Sequence, residues 1–141
     1  MNDTYYIIMK GKVVLMALML AFAANVSAQK YKGHFANEDL KIKLELNLYG
    51  DSIPVPGLEM DSCYGYLQGN LNGTWVILRV KNLEDKKAIV RASCDNGSDT
   101  QDLELVATDS TVTLRQIDEA NIKTISGKKY VKLPKQIILH R

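Results

Sequence analysis

The chain predicts an all-β domain: an antiparallel meander of about eight strands forming a closed or partly closed barrel, with a β-sandwich as the alternative. Three observations carry this. Leu40, Ile42, Leu44, Leu46 and Leu48 alternate with Lys41, Lys43, Glu45 and Asn47, the period-two pattern of a strand with one buried face and one wet face. Turn chemistry recurs at short intervals, at Asn70–Gly73, Asp95–Asp99 and Asp109–Ser110. No helical segment is long enough to make a βαβ crossover, which favours antiparallel neighbours.

The first residues are expected to lie outside this domain. Val13–Ala24 is an unbroken apolar run behind Lys10 and Lys12 and ahead of Val26-Ser27-Ala28, the layout of a secretory signal peptide. Its 12 residues fall short of the ~20 that span a bilayer, so cleavage after Ala28 is expected, with no stable membrane insertion afterwards. Met9 offers a tidier start than Met1, because Asp3 dilutes the basic segment. The expected organisation is a leader over 1–28 and a single β-barrel-like domain over 29–141, secreted or periplasmic.

The elements then follow in order. Tyr31–Phe35 is a first strand and Leu40–Leu48 a second. Gly50-Asp51-Ser52 breaks the run, and Pro54, Pro56 and Gly57 mark an irregular link, since proline withholds a ladder donor. Cys63–Gln68, Thr74–Lys81, Lys87–Ser93, Leu103–Thr108 and Thr111–Gln116 read as strands. Asp118-Glu119-Ala120 favours a short helix within Ile117–Ile125, ended by Ser126-Gly127. Lys129–Leu133 and Gln136–His140 are two short strands, or one broken at Pro134. Closure would remove the exposed edges of such apolar strands and would lay the first strand beside the last, bringing His34 near His140.

Charge excludes some functions. Without Lys10, Lys12 and Asp3 the formal charge falls from +2 to +1, too little to drive binding to nucleic acid. The charges are unevenly placed, however. Acids crowd Asp95–Glu119 with Arg115 as the sole base there, and Asn121–Arg141 holds five lysines and Arg141 with no acid. Either this is a bipolar surface that steers a partner, or the side chains simply solvate alternate strand positions.

Cys63 and Cys94 are the only cysteines, and an oxidising compartment favours their pairing in a disulfide. The alternative is two buried thiols. His34 and His140 with Glu38 or Asp39 would be a workable ligand set only if closure assembled them, and no metal or cofactor is expected. Asp95-Asn96-Gly97-Ser98-Asp99 loosely resembles the start of a calcium loop, but the position for the bidentate acid falls on Val106, so a hairpin turn is the expectation. No nucleophile elbow, triad or phosphate loop is present, and the chain is expected not to be an enzyme. Tyr64 and Tyr66, with Trp75 across the next turn, form a candidate stacking platform for a sugar or peptide; packing across adjacent strands is the competing reading.

Val55-Pro56-Gly57, Cys63-Tyr64-Gly65-Tyr66-Leu67-Gln68-Gly69 and Trp75-Val76-Ile77 together resemble the meander of small secreted β-barrel proteins of unknown function from Gram-negative gut-type bacteria. The resemblance implies an exported antiparallel barrel and supplies no site residues. Secreted inhibitors of c-type lysozyme share small bridged barrels, but their inhibitory motifs are missing here. The expected function is an exported, non-enzymatic binding or interaction module. Its partner would be an unidentified small ligand in the barrel mouth or an extracellular protein on the charged flank. The alternative is a protein inhibitor of an extracellular hydrolase such as a lysozyme, acting through a protruding loop at Ile53–Asp61.

Overall fold

The computed structural model describes residues 29–59 and 62–141, so the leader over 1–28 lies outside the described residues. Among the described residues ten strands follow one another: β1 (Lys32–Asn37), β2 (Ile42–Asn47), β3 (Gly65–Gly69), β4 (Trp75–Leu83), β5 (Ala88–Cys94), β6 (Thr100–Ala107), β7 (Thr111–Gln116), β8 (Lys123–Ser126), β9 (Lys129–Lys132) and β10 (Gln136–His140). Eight of them close into a barrel in the order β1-β10-β7-β6-β5-β4-β3-β2, every neighbour antiparallel. The remaining two, β8 and β9, form a separate hairpin between β7 and β10. The barrel expected from the alternation is therefore present, and the sandwich is set aside.

Alternation explains why each stave points as it does. In β2, Ile42, Leu44 and Leu46 turn inward while Lys43, Glu45 and Asn47 face out. Leu103 and Leu105 of β6, Val112 and Leu114 of β7, and Ile137 and Leu139 of β10 repeat the pattern, meeting at register pairs such as Leu105↔Leu114 and Leu114↔Ile137. The interior is thus filled by side chains from every stave, with Trp75 wholly buried among them. An eight-stranded barrel is just wide enough for side chains to fill it.

Both ends are plugged. Tyr31 closes one, its hydroxyl donating to the Leu105 carbonyl at 3.4 Å, and its own pKa is pushed up by burial. Ile122 and Leu133, at the stem of the β8–β9 hairpin, close the other, joined by the Leu133 N–H donating to the Ile122 carbonyl at 3.0 Å.

The seam between β1 and β10 is the shortest ladder, with only Ala36↔His140 in register. Side chains reinforce it: the Asn37 amide donates to the Ile138 carbonyl at 3.0 Å, and Arg141 donates to the Lys32 carbonyl at 3.0 Å while lying 4.6 Å over the Phe35 ring. Gly33, at φ 136°, leaves room there, because a Cβ would run into that guanidinium.

Two expectations fail at the level of the fold. The helix expected within Ile117–Ile125 is absent; residues 117–122 are an irregular link leading into β8. Buried Gln101 and Gln116 replace helical bonding, their side-chain oxygens accepting from Asn121 N–H at 2.8 Å and Ile122 N–H at 3.1 Å. Asp118, at φ 60°, takes the left-handed conformation that interrupts a right-handed helix.

The second failure is the disulfide. Cys63 and Cys94 are both free and both buried, on opposite sides of the barrel wall. Cys94 pairs with inward-facing Trp75 and belongs to the interior, whereas Cys63 lies outside with Val55, Tyr66 and Val76. Burial raises both thiol pKa values, so each behaves as a small apolar side chain.

Candidate functional site

A barrel with a packed interior offers only its outer surface. Around β5, β6 and β7 that surface is a charge ladder: Asp102 accepts from Arg91 at 2.8 and 3.2 Å and from Lys81 at 3.0 Å, and Glu104 pairs with Arg115 at 3.0 Å. The Arg91 guanidinium holds the Asp102 pKa at about 2, with Lys81 assisting against the opposing effect of partial burial. Arg115 likewise draws the Glu104 pKa down. These acids of the Asp95–Glu119 segment are therefore neutralised across the strands, the behaviour of alternate positions on a solvated wall.

The basic segment behaves differently. Lys123 and Lys132 face each other across the β8–β9 ladder, with Lys128 and Lys129 at the turn, and none of the four has an ion-pair partner among the described residues. Like charges directly opposed across strands cost stability. Beside them Ile125 and Tyr130 form a cross-strand pair, 41% and 61% exposed, and Val131 is also exposed at 41%.

Specific contacts hold this finger to the barrel. Thr124 bridges to Leu71, its hydroxyl donating to the Asn70 carbonyl at 2.6 Å, and Asn72 N–H donates to the Lys123 carbonyl at 2.9 Å. The Asn72 side chain accepts from the Trp75 indole at 3.0 Å, tying the hairpin base to the core. Beyond that base all four residues of β9 are exposed. The sequence signals were the unopposed lysines and the turn residues Ser126-Gly127-Lys128 between β-forming residues; the reading of 117–125 as a helix hid the strand β8 that completes the hairpin.

The structure does not gather Tyr64, Tyr66 and Trp75 on one exposed face. The Tyr64 N–H donates to the Ile77 carbonyl at 3.1 Å although Gly65 is the register partner of Ile77, so two residues oppose one. That bulge turns Tyr64 toward the interior, where it is partly buried against the core. Tyr66 faces out but is buried under the 53–58 segment, and Trp75 is inside.

The same segment bears on the protruding-loop expectation at Ile53–Asp61, of which Met60 and Asp61 lie outside the described residues. Its described part lies flat on the wall, with Ile53 bridged to Cys63 and with Val55 and Leu58 packed toward Tyr66 and Val76.

His34 and His140 do lie on adjacent staves, displaced by two residues in register, both facing out. His34 hydrogen-bonds Glu45 across β2, and no metal-holding group of three or more His, Cys, Asp or Glu side chains exists among the described residues. The Asp95–Asp99 turn is a hairpin connection in which the Asp95 carboxylate accepts from Thr74 N–H at 2.9 Å.

Three surface clefts among the described residues are small. One of about 240 Å³ lies at the Tyr31 end beside Tyr49 and Leu83, one of about 270 Å³ beside Leu58 and Leu78, and one of about 180 Å³ along the 117–121 link. Small-molecule sites typically occupy ~300–1,000 Å³. No protein-family model matches the chain, and neither a curated protein nor a solved structure does.

Proposed function

We propose that this chain is an exported, non-enzymatic interaction module that meets a macromolecular partner with its outer surface. The observation that carries the reading is the filled interior: every stave contributes buried side chains, Trp75 sits at zero exposure, and Tyr31 at one end and Ile122 with Leu133 at the other plug the barrel. A carrier of small apolar ligands needs the space that these side chains occupy. Export rests on the leader pattern over 1–28, and every barrel stave lies within 32–140, so removal of the leader takes nothing from the barrel.

The exposed hairpin favours a second, narrower reading, inhibition of an extracellular hydrolase. A two-stranded finger standing on a rigid barrel is a shape that can enter a concave active site.

Trp75 makes the main reading testable, because it is the sole tryptophan and lies inside the barrel. Titration with a fatty acid and with an apolar dye should leave Trp75 emission unchanged. Saturable one-to-one uptake with quenching would replace the exterior reading with that of a carrier. Fractionation with N-terminal sequencing tests export, and a cytosolic product retaining residues 1–28 would discard it.

A further inference from the structure

We infer that the free edge of β9 is a docking strand for an extended acidic segment of a partner protein. The inference deepens the exterior reading and rests on it.

Closure removes edges from all eight staves, but among the described residues β9 pairs only with β8. The direction of its main-chain groups follows from the ladder. Leu133 N–H donates to the Ile122 carbonyl, and antiparallel pairs alternate between bonded and non-bonded, so Thr124–Val131 and Ser126–Lys129 are the bonded pairs. The N–H and C=O groups of Tyr130 and Lys132 therefore point away from β8. The opposite edge of β8 obeys the same alternation: the carbonyls of Lys123 and Ile125 point outward and accept from Asn72 N–H at 2.9 Å and the Asn70 amide at 3.0 Å. One edge of the hairpin is thus satisfied by the barrel, and among the described residues the other has no strand partner.

Charge selects the occupant. The edge reads Lys129-Tyr130-Val131-Lys132, and Lys123 and Lys128 lie close by. A second copy of β9 would set lysine against lysine, so these charges discourage self-pairing, as lysines on edge strands do. An added strand with an acid at each end of an apolar pair would place carboxylates opposite Lys129 and Lys132 and apolar side chains opposite Tyr130 and Val131. It would also relieve the Lys123–Lys132 opposition. Because lysine, two less polar residues and lysine read alike in both directions, charge matching is the same for parallel and antiparallel addition. Strand addition of this kind draws affinity from main-chain bonds and specificity from alternate side chains.

The test uses the purified chain and a fluorescein-labelled peptide with a central Glu-Val-Tyr-Glu between Gly-Ser flanks. Anisotropy should report saturable binding, and amide exchange should slow at Tyr130 and Lys132. Methylating every backbone nitrogen of the Glu-Val-Tyr-Glu core, which keeps the charges and removes the donors whichever way the strand runs, should abolish binding. The double change Lys129→Glu with Lys132→Glu should weaken binding by about tenfold or more. The exchange measurement on the unaltered chain needs no variant.

Equal binding of the methylated peptide, binding without protection of those two amides, or no binding would each overturn the inference. So would a preference for phosphatidylglycerol vesicles over the peptide, which would make the finger a membrane contact. If the peptide fails while apolar probes still leave Trp75 emission unchanged, only the docking strand is lost. If those probes enter the barrel, the exterior reading itself is lost.

Discussion

Replacing Leu114 by alanine tests the packed interior directly. Leu114 has no exposed surface and sits at mid-strand on β7, opposite Leu105 on one side and Ile137 on the other. Three carbon atoms are removed, at about 0.8 kcal/mol each, giving about 2.4 kcal/mol of lost transfer energy. The neighbouring staves are fixed by ladders on both sides and cannot slide inward, so most of the void should persist and add about 1–2 kcal/mol. The expected loss is therefore about 3.4–4.4 kcal/mol, within the range of ~2.7–5 kcal/mol for buried leucines.

Urea unfolding followed by Trp75 emission is the assay. With an m-value of about 1.5 kcal/mol/M, the midpoint should fall by about 2–3 M at unchanged m. The variant, and not the parent, should also bind benzene. A midpoint shift under about 1 M, or benzene binding by the parent, would refute the close-packed interior.

Three further outcomes follow from the structure. Gln116→Leu removes the acceptor of the Ile122 N–H in a fully buried position, so it should cost about 1–3 kcal/mol and speed amide exchange at Ile122 and Leu133 more than at mid-barrel positions; uniform acceleration would contradict this. Asp102 is more acidic in the folded chain, at about 2, than its ordinary 3.8, so the stability it contributes is complete above pH 3.8 and lost as pH falls through about 2. Asp102→Asn should flatten the acid limb of the stability curve across that window, and parallel curves for parent and variant would count against the Arg91 contact. Cys63 and Cys94 should resist a thiol reagent in the native protein and react with it in urea, whereas a mass gain of two hydrogens on reduction would show a bridge and contradict the free thiols.

Much of the barrel was legible because its rules are local. The Leu40–Leu48 alternation marks β2 and its inward face, and Thr111–Gln116 reads as the strand that forms β7. What resisted was information held between distant segments. Two buried glutamines, on β6 and at the end of β7, decide that 117–122 is a link and not a helix, and no local pattern announces them. The Tyr64–Gly65 bulge splits a pair of tyrosines that plain alternation puts on one face. The cysteines are separated by the sheet itself, which spacing along the chain cannot reveal. The candidate site was half legible: the unopposed lysines stood out, but the free strand edge that gives them a use depends on the fold.

The seam where the ring shuts should be the last junction to form as the barrel assembles. Six of the eight junctions join strands consecutive in the chain, whereas Ala36 and His140 must find each other across most of the sequence. Local hairpins can form early, but the final junction must await the last stave and bear the entropy of a long loop. Until Arg141 and Asn37 fasten it, two raw strand borders stay open to other chains. Slow ring closure, more than native stability, should limit how concentrated the refolding protein can be before it aggregates.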